Sequence, residues 1–372
     1  MIDHVEFLSG VSGGAITAAY FGLNGRAALA DFRERFLMRD AEESLSTTIT
    51  PLSLARAYEG GINDAQQFPH WLDDNLFHGA TFRDLDERRP RVWINASDIY
   101  NRTPFIFSSE TFGAICSDLA SYPVANAVAA SAAMPVIFAP VVLRTFPDGC
   151  TSPMPEWIGR ARHEAGTPPL LRAYADAIAR YRDGSMSYIK LLDGGLVDNY
   201  GLSGFTIARL SAGTPYAPLT ARQAARIHRV LFLVIDGGNG PTGDWAATAE
   251  GPTAPELVAA AAQTAIDSSV RSSYTAFDSA MSEWRAAIIR WRCALSAEEA
   301  RKYGVSTDSS CRDLKFFVGL VNFDELGRQR ADVLKSIPTR FKMAPDTVEQ
   351  VIGAARDALH ANATFQAFLA SR

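Results

Sequence analysis

The sequence has no run of like charge, no metal-type cysteine spacing and no histidine placed to serve a serine. Its basic and acidic residues are interspersed and the formal net charge is −5, which excludes the electrostatic footprint of a nucleic-acid binder and a polybasic membrane anchor. The four cysteines, Cys116, Cys150, Cys293 and Cys311, fit no zinc pattern, and no metal or cofactor is expected. Cys293 and Cys311 flank the polar segment 294–310, which leaves two readings open: a disulfide-closed loop in an oxidising compartment, or buried free thiols. The segment 121–142 has no charged residue and has the length of a membrane span. Pro123, Asn126, Ser131, Pro135 and Pro140 interrupt it, so no transmembrane segment is expected. Repeats, low-complexity stretches and clear linkers are absent too. The 372 residues, 47% of them hydrophobic, are therefore expected to fold as one domain, 1–372, with a sizeable core.

What is present begins almost at once. An apolar run from Val5 to Leu8 reads as the end of a buried strand, and Ala15 to Tyr20 reads as the first turns of a tightly packed helix. Between them lies Gly10-Val11-Ser12-Gly13-Gly14, a Gly-x-Ser-x-Gly spacing. A serine on a sharp strand-to-helix turn is pushed out of the backbone envelope, and flanking glycines relieve the crowding. Ser12 would then sit at a helix N-terminus, where free N–H groups and the helix dipole favour the charge that develops on a substrate oxygen. The N–H of Gly13 is the natural oxyanion donor. The pattern alone is weak, since it arises by chance in about one chain in ten of this length.

No signal peptide is visible, because the chain begins Met1-Ile2-Asp3-His4 and enters its first strand almost at once. A sheet of this kind normally has a strand before the nucleophile strand, so the domain is expected to be N-terminally incomplete. The compartment stays open between the cytoplasm and a cell envelope or periplasm reached through a missing signal.

Further along, helical patterning runs from Ile16 to Leu23, breaks at Asn24-Gly25 and resumes to Phe36. Helices are suggested over 52–58 and 65–76, and His70 and His78 read as surface residues. Arg91 to Ala96 reads as a strand with Pro104 to Phe107 as its hairpin partner. Val124 to Ala133 reads as a buried small-residue helix that ends at Met134-Pro135, with an apolar loop beyond it at the site. Residues 146–187 read as an insertion, a lid or surface excursion, with an amphipathic helix over 170–181. Two apolar strands each end in Asp-Gly-Gly: Tyr188 to Leu192 delivers Asp193-Gly194-Gly195, and Arg229 to Ile235 delivers Asp236-Gly237-Gly238. The C-terminal part, 253–372, is mainly helical. Its long helix, 253–292, has Leu257, Ala261, Ile266 and Ala276 as candidates for a buried side, and a last strand runs from Leu314 to Phe323.

Ser12 needs a base within hydrogen-bond reach. Among the histidines, His228 precedes its strand, His360 ends a C-terminal helix, His163 lies in the insertion and His4 precedes the nucleophile strand, so a triad is not expected. An aspartate acting directly on the serine remains. Asp193 and Asp236 compete for that role, and either can also serve simply as a turn or helix cap.

Gly10-Val11-Ser12-Gly13-Gly14 followed by Asp193-Gly194-Gly195-Leu196-Val197-Asp198-Asn199 resembles the patatin-like phospholipase family. The segment 130–135, with Phe138 and Pro140, resembles that family's small-residue helix and proline loop, and 93–107 resembles its strand pair. The likeness extends over about 5–202. It implies a three-layer α/β/α fold with a mixed, mainly parallel central sheet. It also implies a Ser-Asp dyad with Ser12 as nucleophile and Asp193 as proton acceptor, Gly13 as oxyanion donor, and Gly10, Gly14, Gly194 and Gly195 as motif glycines. Asp236 lacks the Val-Asp-Asn continuation. The implied activity is lipid acyl hydrolysis of phospholipase A or lysophospholipase type, without a cofactor, on a lipid or ester substrate in solution or at a membrane surface. One departure stands out: the family's Gly-Gly-Gly-x-Arg-Gly loop, which supplies most of its oxyanion hole, is not found in this sequence. Two other readings therefore stay open, a catalytically impaired lipid-binding homologue and a soluble esterase or thioesterase.

Overall fold

The computed structural model describes residues 2–43, 66–87, 89–135, 137–151, 153–240, 244–305 and 309–371. The chain divides into two compact units: residues 1–204 with 245–271 and 341–344, and residues 205–244 with 272–340 and 345–372. The helix expected over 52–58 lies outside the described residues.

In the first unit β1 (Phe7–Gly10) leads into α1 (Gly13–Asn24), followed by β2 (Arg91–Asp98), β3 (Thr103–Ile106), α2 (Val124–Ser131), β4 (Val141–Arg144), α3 (Pro169–Arg182) and β5 (Tyr188–Leu192). The sheet order is β1-β2-β5-β4, with β3 also paired to β2. The fold is mixed α/β of the three-layer α/β/α kind. Parallel pairing does not dominate this sheet, contrary to the sequence expectation. β1 and β2 run parallel, while β3 on β2, β5 on β2 and β4 on β5 are antiparallel. The cause is local: a tight turn joins β2 to β3, and only an antiparallel pair can be closed so shortly.

The helices beside β1 bury many small residues. Ala15, Ala18 and Ala19 of α1 and Ala125, Ala127, Ala129 and Ala130 of α2 are all buried. At Gly22 an added Cβ would lie 2.5 Å from Val92 Cγ2, so the helix backbone rests directly on β2. The charge-free segment 121–142 thus holds the buried α2 and, at its end, the first residues of β4. Among the described residues, no helix is long and apolar enough to cross a membrane.

β2 organises everything else. Its odd-numbered residues turn their backbone groups toward one edge: Arg91 N–H donates to Glu6 O at 3.0 Å, and Ile99 N–H donates to Lys190 O at 3.3 Å. Its even-numbered residues turn toward β3, where Phe107 N–H donates to Ile94 O at 3.0 Å and Arg102 N–H to Asp98 O at 2.8 Å. β1 and β5 therefore share one edge of β2 and approach from opposite directions. β1 ends beside Ile94, and β5 ends beside Ser97.

Residues 146–187, expected as an insertion, are partly built into the core. They hold a helix at Glu156–His163 as well as α3, and Tyr174, Ala175, Ile178 and Tyr181 of α3 are buried. Tyr174 exchanges a 2.8 Å hydrogen bond with Thr111, and Tyr181 donates to Asp98 at 2.6 Å. The amphipathic pattern placed this helix correctly, but it could not show that its apolar side faces β3. Cys116 and Cys150 also meet here as a disulfide, with Cα atoms 4.9 Å apart, a pairing not anticipated.

In the second unit β6 (Arg229–Ile235) and β7 (Lys315–Val321) form a parallel pair. Phe205, Phe232, Phe277, Trp284 and Phe316 pack together edge to face around it. The long helix α4 (Ala254–Cys293), whose residues 254–271 belong to the first unit and 272–293 to the second, forms as expected, but its buried side is set differently. Leu257, Ala261 and Ala276 are exposed, and Ala262, Ile266, Phe277, Met281, Trp284 and Ile288 are buried. Alanines carried no information about which side faces in, whereas the aromatic and branched residues at helical spacing do. Cys293 and Cys311 form a disulfide with Cα atoms 5.1 Å apart, so these two thiols are paired and not free.

Candidate active site

Ser12 lies between β1 and α1 with φ 53 and ψ −128. A serine rarely adopts a positive φ, which costs on the order of 1–2 kcal/mol and needs support from its surroundings. Here Ser12 N–H donates to Ser131 Oγ at 2.9 Å, and Ser131 Oγ donates in turn to Asn95 O at 2.7 Å. Ala15 N–H donates to Ser12 O at 2.9 Å and closes the first turn of α1. Gly10 is required by close approach, since an added Cβ would stand 2.6 Å from Ala15 Cα, a backbone atom. Gly14 differs from the expectation that both flanking glycines relieve crowding: nothing lies within 4 Å of a Cβ there.

Asp193 follows β5 directly and arrives at the other end of the same gap in β2. Its N–H donates to Ala133 O at 2.8 Å, and Gly194 N–H donates to Ser131 O at 3.1 Å, so α2 fixes both blocks. Gly194 rests on β2 so closely that a Cβ would lie 2.3 Å from Asn95 O. Ser97 Oγ donates to Gly194 O at 3.2 Å. One carboxylate oxygen, Oδ1, accepts from Gly195 N–H at 2.8 Å. The other, Oδ2, is buried without a hydrogen-bond partner among the described residues.

Burial pushes the Asp193 pKa up from 3.8 to about 6, and the Ser12 hydroxyl and Gly195 N–H partly oppose the rise. The serine is thus near enough to influence the carboxyl, while no hydrogen bond of good geometry closes between them. Such a gap is common in a resting site, where catalytic hydrogen bonds tighten on substrate binding. An unpartnered, desolvated carboxylate beside a serine can accept its proton. Gly13 N–H, the first of α1, has no partner among the described residues, as helix geometry dictates for a leading N–H. Gly13 and Gly14 are exposed and Ser12 is half-buried, so the elbow is open to an incoming substrate.

Three buried polar residues that sequence reasoning missed tie the site together. Asn95 Nδ2 donates to Ser9 Oγ at 2.8 Å and to Gly10 O at 3.1 Å, and Ser9 Oγ donates to Gly201 O at 2.6 Å. Ser131 and Ser97 complete the set. The signal available was a polar residue inside an apolar strand or small-residue helix, as at Asn95 and Ser131. Asp198 is buried and accepts from Leu202 N–H at 3.1 Å and Ser203 N–H at 2.7 Å, which starts the helix Ser203–Ser211. It is a cap, held apart from the chemistry by those bonds.

The rival Asp236 stands at the end of β6 in the second unit, where its Oδ1 accepts from Gly238 N–H at 2.8 Å. His228 is engaged with Asp313 at 3.1 Å. His70 and His78 are exposed, as expected. No histidine hydrogen-bonds Ser12 or Asp193 among the described residues. Cavities of about 490 and 180 Å³ lie in the second unit and include none of the site residues.

The family model of patatin-like phospholipases matches residues 1–206, more than half of the chain. The chain belongs to the patatin-like phospholipase family. That membership supports lipid acyl hydrolysis as the general activity, with a lipid as the fitting substrate. The match ends just beyond the Asp193-Gly194-Gly195 segment, so both Ser12 and Asp193 fall within it. No curated protein matches the chain.

The raised Asp193 pKa has a kinetic consequence. If the carboxylate must be ionised to accept a proton, activity rises through an apparent pKa of about 6. A pH profile of kcat/KM on a soluble ester is expected to lose about tenfold between pH 7 and pH 5. A profile flat to pH 4.5 would mean that Asp193 does not titrate as the base.

Proposed function

We propose that the protein cleaves carboxylic esters of lipids through a Ser-Asp dyad, as a phospholipase A or lysophospholipase. Ser12 attacks the ester carbonyl as Asp193 takes its proton, Asp193 returns that proton to the departing alcohol or lysolipid, and the regenerated carboxylate then takes a proton from water, whose attack releases the acid as Asp193 reprotonates Ser12. Gly13 N–H supports the oxyanion in both halves. Gly10, Gly14, Gly194 and Gly195 are the glycines of the two motifs, two of them at contacts where no side chain fits. The observation that carries the reading is the buried, unpartnered Asp193 Oδ2 beside a serine strained at a helix N-terminus.

The test is hydrolysis of a short-chain nitrophenyl ester and of a phospholipid by the parent and by Ser12→Ala. Loss of both activities in Ser12→Ala, on the order of a thousandfold or more, is expected. An unchanged rate would remove Ser12 from the mechanism. A folded parent without turnover on either substrate would favour the catalytically impaired homologue, and activity on the soluble ester alone would favour the esterase.

A further inference from the structure

The sheet of the first unit turns one side of β4 and β5 to water. Val142, Arg144 and Phe146 are exposed in alternation with buried Leu143 and Thr145, and Tyr188 and Lys190 alternate with buried Ile189 and Leu191. Val142 is paired with Lys190 and Arg144 with Tyr188, so these four side chains share a face. Ile99, bonded to Lys190 in the same ladder, joins them on that face.

A sheet face open to water is expected to be polar. This one is not: Ile99 is 41%, Val142 52%, Phe146 44% and Tyr188 51% exposed. Its two charges are both positive and lie over rings, with the Arg144 guanidinium 5.2 Å from the Phe146 centroid and Lys190 Nζ 5.8 Å from that of Tyr188. Neither cation has a carboxylate partner among the described residues. Rings and aliphatic groups interleaved with unpaired cations match the headgroup layer of a bilayer, where rings sit at the interface and Lys or Arg meets lipid phosphate. β5 runs on to Asp193, which places Tyr188 about 17 Å along the strand from the candidate base.

We propose that this face docks on the anionic surface of a phospholipid bilayer and holds the enzyme at the interface. The proposal rests on the reading of the protein as a lipid hydrolase and specifies where its substrate layer lies. Docking needs no bond making: it exchanges cation–ring contacts for cation–phosphate contacts and buries the exposed apolar groups.

The test separates docking from turnover. Ser12→Ala protein is co-sedimented with vesicles of phosphatidylcholine alone and of equal parts phosphatidylcholine and phosphatidylserine. Binding to the anionic vesicles is expected, weakened by salt and by about thirtyfold in Arg144→Gln/Lys190→Gln, the usual worth of two surface cations at an anionic bilayer. Val142→Ser/Tyr188→Ser should weaken it as well. In the active background both pairs should leave hydrolysis of the soluble nitrophenyl ester within about twofold and lower hydrolysis of anionic vesicles. No sedimentation with either vesicle, or parent-like binding by the charge-neutralised pair, would overturn the proposal. So would self-association of the parent that these variants abolish without loss of vesicle binding. Vesicle binding by a parent that hydrolyses no ester would support docking and overturn the hydrolase reading.

Discussion

Asp193→Asn is expected to lose ester hydrolysis by about a thousandfold or more while making the protein more stable at pH 8. The two effects have one cause. The Asp193 carboxyl is buried, and its pKa is pushed up from 3.8 to about 6, chiefly by desolvation. A carboxyl whose folded pKa lies above its unfolded value stabilises the fold fully only below the unfolded pKa, and that stability is lost as pH rises through the folded pKa. At pH 8 the charged form therefore costs the fold about 3 kcal/mol, taking 1.36 kcal/mol per pH unit. Asparagine can still accept from Gly195 N–H through its carbonyl oxygen, but it has no charge to bury and no capacity to take a proton from Ser12. Thermal unfolding should show a higher Tm for Asp193→Asn at pH 8 and a difference near zero at pH 4. Equal Tm values at pH 8 would mean that the carboxylate is solvated in solution and is a poorer candidate for the base.

Gly10→Ala is expected to collapse the elbow, and Gly14→Ala to leave it standing. The added methyl at position 10 would press on Ala15 Cα and Gly14 O, both backbone atoms that cannot rotate away, whereas position 14 opens to free space. Overpacking against immobile atoms costs typically 1–3 kcal/mol, and the strained φ of Ser12 leaves little slack to absorb it. Circular dichroism melts and ester turnover should both fall sharply for Gly10→Ala, with activity reduced a hundredfold or more as the serine moves off its track. For Gly14→Ala both should stay near the parent. The reverse order of sensitivity would contradict the elbow described here.

Much of the site was legible because its chemistry is local. A serine between an apolar strand and a small-residue helix, and an aspartate directly after a five-residue apolar strand, announce themselves in short windows. The bounds of β5 and β6 and the long helix α4 also followed from runs of apolar or helical residues. What the windows could not hold was long-range. Asn95, Ser97 and Ser131 earn their roles from partners far along the chain, and nothing near them in sequence marks those partners. The Cys116–Cys150 bridge and the burial of α3 against β3 are of the same kind. The weight of antiparallel pairing was missed because β5 meets β2 from the far end, a matter of topology that composition does not encode.

The shared edge of β2 acts as a ruler between the two catalytic blocks. β1 stops beside Ile94 and β5 beside Ser97, so the ends of the two strands that carry Ser12 and Asp193 are set three residues of β2 apart, about 10 Å of strand. Chain of any length and history can be threaded between the blocks without disturbing that spacing, provided both strands still find their rungs. Inserting or deleting one residue within 94–97 would have the opposite effect, moving one block by about 3.3 Å and turning its side chains to the other face. Tolerance to changes of chain length between the two strands is therefore expected everywhere except across these four positions of β2.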